Sequence, residues 1–152
     1  MRIAFFSPLP PARSGIAEYS ETLLTHLRAI ADVETFTEAA DASAFDIAIY
    51  QLGNNPHHTF AYEAAMRHPG IVVLHEANLH HLIADLTISR GDWDAYLREV
   101  EFDGGPQALT YAREHVRTLR KGPDYDGVPM TRRLLSASKG AITHSDCVRQ
   151  EL

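Results

Sequence analysis

The chain has almost no means of cross-linking itself: 152 residues hold one cysteine, Cys147. A single thiol excludes an intrachain disulfide, so the fold must rest on its core, and a reducing cytoplasm is the expected compartment. Cys147 itself reads as a small helix residue. Positive charge is also scarce. Lys and Arg number 14 against 20 Asp and Glu, a formal net charge of −6, which offers no basic footprint to nucleic acid. No run approaches the roughly 20 apolar residues of a membrane span. Met1-Arg2 passes straight into a strand-like segment without a signal-peptide pattern. The expected location is cytoplasmic, with a peripheral place at the inner face of the membrane left open. No G-x-G-x-x-G, internal repeat or low-complexity tract occurs.

What is present is a set of short apolar runs, each ending on a polar cluster. Ile3-Ala4-Phe5-Phe6 leads into Ser7-Pro8-Leu9-Pro10-Pro11 and then Ser14-Gly15. Ile47-Ala48-Ile49-Tyr50 leads into Gln51-Leu52-Gly53-Asn54-Asn55. Ile71-Val72-Val73-Leu74 ends on His75-Glu76, and Ala141-Ile142-Thr143 ends on His144-Ser145. Such runs, separated by helical patterns, read as buried parallel strands. With 45% hydrophobic residues, the chain can bury one core and make one domain. The fold class is therefore α/β: a doubly wound, Rossmann-like parallel sheet flanked by helices, with right-handed crossovers.

Strands are expected at Met1–Ser7, weakly at Val33–Thr37, at Phe45–Gln51, Gly70–Leu74 and Gly140–His144. Ser14 is the expected N-cap of a helix carrying Ile16, Tyr19, Leu23, Leu27 and Ile30 at helical spacing. A second helix runs from His57 to Arg67. From Asn78 to Lys139 the pattern is mostly helical, cut at Gly91, Gly104-Gly105 and Gly122-Pro123. This stretch is an excursion that a minimal sheet does not need. Asp146 is the expected cap of a helix running to the end of the sequence, which suggests a fragment of a longer protein.

In open α/β sheets ligands bind beyond the carboxyl ends of the strands, so the polar clusters define one rim. Gly15 lets backbone approach a ligand closely, and a helix N-terminus there offers N–H groups to a phosphate. His75, at the end of a strand, suits a hydrogen bond to a hydroxyl or a base. Glu76 either orients His75 or faces water. Asn54, Asn55, His57 and His58 combine a turn signal with amide and imidazole groups of the kind that read a polyol. Asn54 or Asn55 also suits a cap for the following helix. The set His57, His58, His75, Glu76, His80 and His81 raises the question of zinc. No H-E-x-x-H occurs and adjacent histidines on a helix do not share a ligand direction, so no metal is expected. Arg113, Glu114, Arg117, Arg120 and Lys121 read as a solvated helix face.

In this order, Phe5 to Pro11, Ser14 to Tyr19, Tyr50 to Asn54, Val72 to Glu76 and Ile142 to Ser145 resemble the N-terminal half of a family 4 glycosyltransferase of the GT-B fold. The resemblance spans essentially the whole chain. It implies a single Rossmann-like domain over residues 1–152 that binds the acceptor, with a separate C-terminal domain of the parent chain binding a nucleotide-sugar. It further implies transfer with retention to a carbohydrate, lipid-linked or other hydroxyl acceptor. The nucleotide-sugar is a co-substrate, and no cofactor or metal is called for. By the same resemblance Gly15 and Ser14 lie at the donor phosphates. His75 becomes the catalytic candidate beside the transferred sugar, and Asn54, His57 and Glu76 are acceptor-side or sugar-binding residues. The chain departs from the family pattern at Ser14, where a second glycine is frequent, and at Glu76, where aspartate is frequent. The alternatives are a stand-alone Rossmann-like module that binds a sugar or nucleotide without catalysis, and a metal-assisted hydrolase.

Overall fold

The continuous apolar runs at residues 3–6, 47–52 and 71–74 pair as largely buried parallel strands. The computed structural model describes residues 1–152. Five strands, β1 (Arg2–Phe6), β2 (Asp32–Phe36), β3 (Ile47–Leu52), β4 (Ile71–Leu74) and β5 (Gly140–Thr143), form one parallel sheet in the order β2-β1-β3-β4-β5. The α/β, Rossmann-like expectation holds. The registers Phe6↔Tyr50, Leu52↔Leu74 and Leu74↔Thr143 bring the strand ends to a common edge. From β1 the chain crosses to one side, to β2, and from β3 to the other, to β4. Right-handed crossovers therefore put the first two helices on opposite faces and open a crevice between the ends of β1 and β3.

Helix α1 (Gly15–Leu27) starts where predicted: the Ser14 hydroxyl accepts from the Ala17 N–H at 3.1 Å. Its inner line differs from the one read from the large residues. Ala17, Ser20 and Leu24 are the buried positions, while Tyr19 is 37% exposed and Ile30, beyond the helix end, is 78% exposed. Small residues let the helix lie close to the sheet, and Ser20 Oγ bonds Ser7 Oγ at 2.7 Å where β1 ends. The expected second helix is a 3-10 turn, Pro56–His58, capped by Asn55, followed by α2 (Thr59–Arg67).

The stretch between Leu74 and Gly140 supplies α3 (His80–Leu86), α4 (Trp93–Tyr111) and α5 (Arg132–Ala137). It shares the main core rather than forming a separate one. Leu82, Tyr96, Val100, Val128 and Leu134 belong to the same 24-residue buried cluster as Phe6, Tyr50 and Leu74. The predicted cut at Gly104-Gly105 holds: Gly105 has φ 76° and ψ −168° and Pro106 follows, so α4 is two helical stretches that meet at a kink. A π-helical turn, Ala112–Val116, then extends that helix. Asp103 reaches across to accept from the N–H groups of Met130 and Arg132 at 3.0 and 2.9 Å, holding the start of α5. Arg113, Glu114, Arg117, Arg120 and Lys121 are exposed, as expected of a solvated face. The last helix, α6 (Asp146–Glu151), is capped by Ser145, whose hydroxyl accepts from Val148 N–H at 3.2 Å. The expectation for Asp146 was one residue late, because a cap must sit in extended backbone, and Ser145 does, with φ −150° and ψ 155°.

Candidate functional site

Four chain segments meet at the carboxyl edge. The His75 amide donates to Leu52 O at 3.1 Å, carrying the β3–β4 ladder one residue past the strand and fixing where the imidazole starts. The His75 ring then packs against Tyr19 of α1, centroids 5.2 Å apart, and His144 after β5, 4.5 Å away; Tyr19 and His144 lie 4.8 Å apart. Three rings from three elements thus form one cluster at the rim. Beneath it lies Gln51, fully buried near the end of β3, whose side-chain oxygen bonds His75 Nε2 at 2.8 Å. An amide oxygen only accepts, so His75 Nε2 carries the hydrogen. The main-chain oxygen of Gln51 accepts from His58 Nδ1 at 2.9 Å.

Burial, the His144 imidazole and the His58 imidazole, in that order, pull the His75 pKa down from 6.5 to about 4. His75 is therefore neutral across the physiological range. His58, lowered mainly by burial, leans the same way. The two buried side-chain polar atoms left without a partner, Gln51 Nε2 and His58 Nε2, both belong to this layer. Unpaired buried polar atoms are rare in folded proteins and call for a reason. Gly53 closes the layer from above. A methyl group there would lie 2.6 Å from Ile16 Cδ1 and 3.1 Å from His58 Nε2, so any side chain would have to displace the end of Ile16 and press on His58.

One turn before Tyr19, the Pro10–Gly15 loop and Glu18 bound an open hollow of about 540 Å³ at the start of α1. The N–H groups of Gly15 and Ile16 have no acceptor within the helix, as in any first turn. A side chain at Gly15 would meet nothing within 4 Å, and its φ is not positive. Gly15 is therefore not required by the backbone. Arg13 and Glu18 flank the hollow with opposite charges. Ser14, half-buried, gives its oxygen to the helix cap.

The remaining predicted residues have other duties. Asn54 uses both ends of its amide inside the protein: Oδ1 accepts from Leu82 N–H at 3.2 Å, and Nδ2 donates to Asn78 Oδ1 at 3.3 Å. Glu76 does not orient His75. Its carboxylate accepts from the Asn54 N–H at 3.1 Å, tying the loop after β3 to the loop after β4. His57 is exposed at the surface, and of that pair His58 is the one turned inward. Of the six residues singled out, His75 lies in the ring cluster, Ser14 caps α1 and Gly15 lines the hollow at its start, whereas Asn54 and Glu76 brace the loops after β3 and β4. The other histidines do not converge. His80 is buried between Val128 O (2.7 Å) and Tyr96 OH (3.0 Å), His81 stacks on Tyr125 at 3.9 Å, and no three histidine, cysteine or carboxylate groups assemble to hold a metal ion. Sequence reasoning missed Gln51, Tyr19 and His144. A polar residue inside an apolar strand, in register with Val73 two residues before the histidine that follows the next strand, was the available signal.

Burial makes an acid-sensitive fold. His58, His75 and His80 all have lowered pKa values in the folded chain, so below pH 6.5 the unfolded chain takes up protons that the folded one refuses. Stability present at pH 7 should be lost progressively as pH falls through 6.5 towards about 4, the value for His75. Melting temperature measured from pH 7.5 to 4 checks this. A flat profile over that window would show that these imidazoles titrate normally in the folded chain.

No family model, no curated protein and no solved structure matches this chain. The functional reading therefore rests on the site itself.

Proposed function

We propose that the chain is the acceptor-side domain of a retaining, nucleotide-sugar-dependent glycosyltransferase, one half of a GT-B arrangement, acting with a donor-binding domain of the same parent protein. The observation that carries this reading is the neutral imidazole of His75. It is held by buried Gln51 and walled by Tyr19 and His144, and Tyr19 stands one turn along α1 from an open helix N-terminus. The two halves of that crevice suit the two parts of a nucleotide-sugar. N–H groups at the start of α1 favour a phosphate, and an uncharged imidazole with one free nitrogen favours a sugar hydroxyl.

In the reaction, the bond from the anomeric carbon to the phosphate oxygen breaks, the acceptor hydroxyl oxygen forms the new bond to that carbon, and its proton passes to the departing nucleotide phosphate. The chain's contribution is to position the sugar and to place dipoles near the departing phosphate. Orientation and electrostatic stabilisation of this kind supply most of the rate in group transfer. The 152-residue chain alone is expected to fold and not to turn over.

The test is donor use by the full-length parent, assayed with a panel of nucleotide-sugars and hydroxyl acceptors. Wild type should consume a nucleotide-sugar. Gly15→Val should raise the donor KM by about tenfold or more, a loss of roughly 1.4 kcal/mol of binding, because the β-branched side chain fills the approach to the N–H groups. Its melting temperature should fall only slightly, since the added group meets open space. A parent that binds saccharide without consuming any nucleotide-sugar would instead be a binding module. A Gly15→Val enzyme with normal donor KM would remove the phosphate from this corner.

A further inference from the structure

We infer that Gln51 is a positioning residue that fixes the tautomer of His75, so that Nδ1 presents a lone pair and takes a hydrogen bond from a hydroxyl group of the ligand rather than bonding an anion. This deepens the transferase reading and rests on it for the identity of the ligand, though not for the tautomer. The argument starts from the strand. Gln51 interrupts an apolar run and is completely buried, an arrangement that costs free energy unless the amide is bonded. Its single side-chain bond is the one to His75 Nε2, at 2.8 Å. The amide oxygen cannot donate, so it selects the imidazole form with hydrogen on Nε2 and none on Nδ1.

Nδ1 is then the one polar atom of the ring left to act. It has no partner in the protein, and it is absent from the sealed, unpaired atoms of the layer, so it reaches open space. Tyr19 and His144 pack against the ring, with centroids 5.2 and 4.5 Å away, and the Gln51 bond holds Nε2 inward. An atom that only accepts is matched by an O–H donor and repels an unprotonated phosphate oxygen. The groups that face His75 give the same answer: Tyr19 from α1, His58 from the 3-10 turn and His144 after β5 bring no negative charge. Glu76, the next residue, turns its carboxylate to Asn54.

The experiment is a long-range 1H–15N correlation spectrum of the histidine rings in the 152-residue chain, which distinguishes the two neutral tautomers. Wild type is expected to show His75 wholly as the Nε2–H form at pH 7. Gln51→Met should release the ring into a mixture of both tautomers. Gln51→Glu, which keeps the shape and an accepting oxygen, should retain the Nε2–H form and raise the pH of second protonation by about one to three units. An Nδ1–H form in wild type, or an unchanged tautomer in folded Gln51→Met, overturns the assignment. The wild-type spectrum decides the point even where a variant fails to fold. Methyl glucoside, added as a neutral polyol, should move the Nδ1 resonance and leave Nε2 in place. Movement with inorganic pyrophosphate alone, or with neither probe, overturns the hydroxyl role. Because the tautomer needs no turnover, a failed transfer assay beside an intact Nε2–H form would count against the transferase reading and not against Gln51.

Discussion

Gly70→Ala is expected to destabilise the fold by about 3 kcal/mol, at the upper end of the usual cost of overpacking. Gly70 stands at the entrance to β4, beside β3. A methyl group built on it would come within van der Waals overlap of the Ala48 carbonyl and to 2.9 Å from the Tyr50 ring. The first of these is backbone, paired within the sheet, and cannot swing aside. The second belongs to a fully buried ring whose hydroxyl already donates to His68 O at 2.6 Å. Relief would require β3 and β4 to part at the place where the Lys139 N–H also bonds Gly70 O at 2.8 Å. Urea denaturation of wild type and variant measures the difference; a loss below about 1 kcal/mol would mean that the strands separate more easily than close packing allows. Gly15→Ala, where the added group meets nothing, is the matched control.

On the transferase reading, His75→Ala in a full-length parent should lower turnover by about a hundredfold, the usual scale for a positioned polar group. The variant removes the group whose Nδ1 faces the crevice and leaves the buried Gln51 amide without its bond. A stability cost of about 1–2 kcal/mol is expected from the second effect. The two are separable. Activity per folded molecule reports the first, and the denaturation midpoint reports the second. Full activity in folded His75→Ala would reduce the imidazole to a filler between Tyr19 and His144.

The sheet was legible because buried parallel strands are written as unbroken apolar runs, and the Leu74 to Gly140 excursion because its punctuation is glycine and proline. Boundaries moved by one or two residues, as with β3, expected from Phe45 and found from Ile47. The inner face of α1 was misread for a physical reason. Size suggested Tyr19 and Ile16 as the packing line, whereas a helix lying close to a sheet turns small residues inward, here Ala17 and Ser20. That freed Tyr19 for the rim. The rim's position and His75 could be foreseen from strand ends alone. Gln51 was the harder one, because periodicity treats a polar residue near a strand end as the end itself and its role shows only against the register of the next strand. Asn54 and Glu76 were assigned to a ligand when their partners are each other and α3, contacts between residues 22 and 28 positions apart that no local pattern encodes.

The ring cluster draws on positions 19, 75 and 144, and its last member hangs from β5, a strand with a neighbour on one side only. β5 joins the sheet across a long crossover, and closing such a loop costs entropy before any contact is gained. The chain thus has a natural order of assembly: β2-β1-β3-β4 can zip from nearby segments, and β5 comes late. An edge strand reached by so long a loop is expected to open before the interior strands. Such an opening would withdraw His144 and uncover one flank of His75, tying the wetness of the crevice to an edge of the sheet.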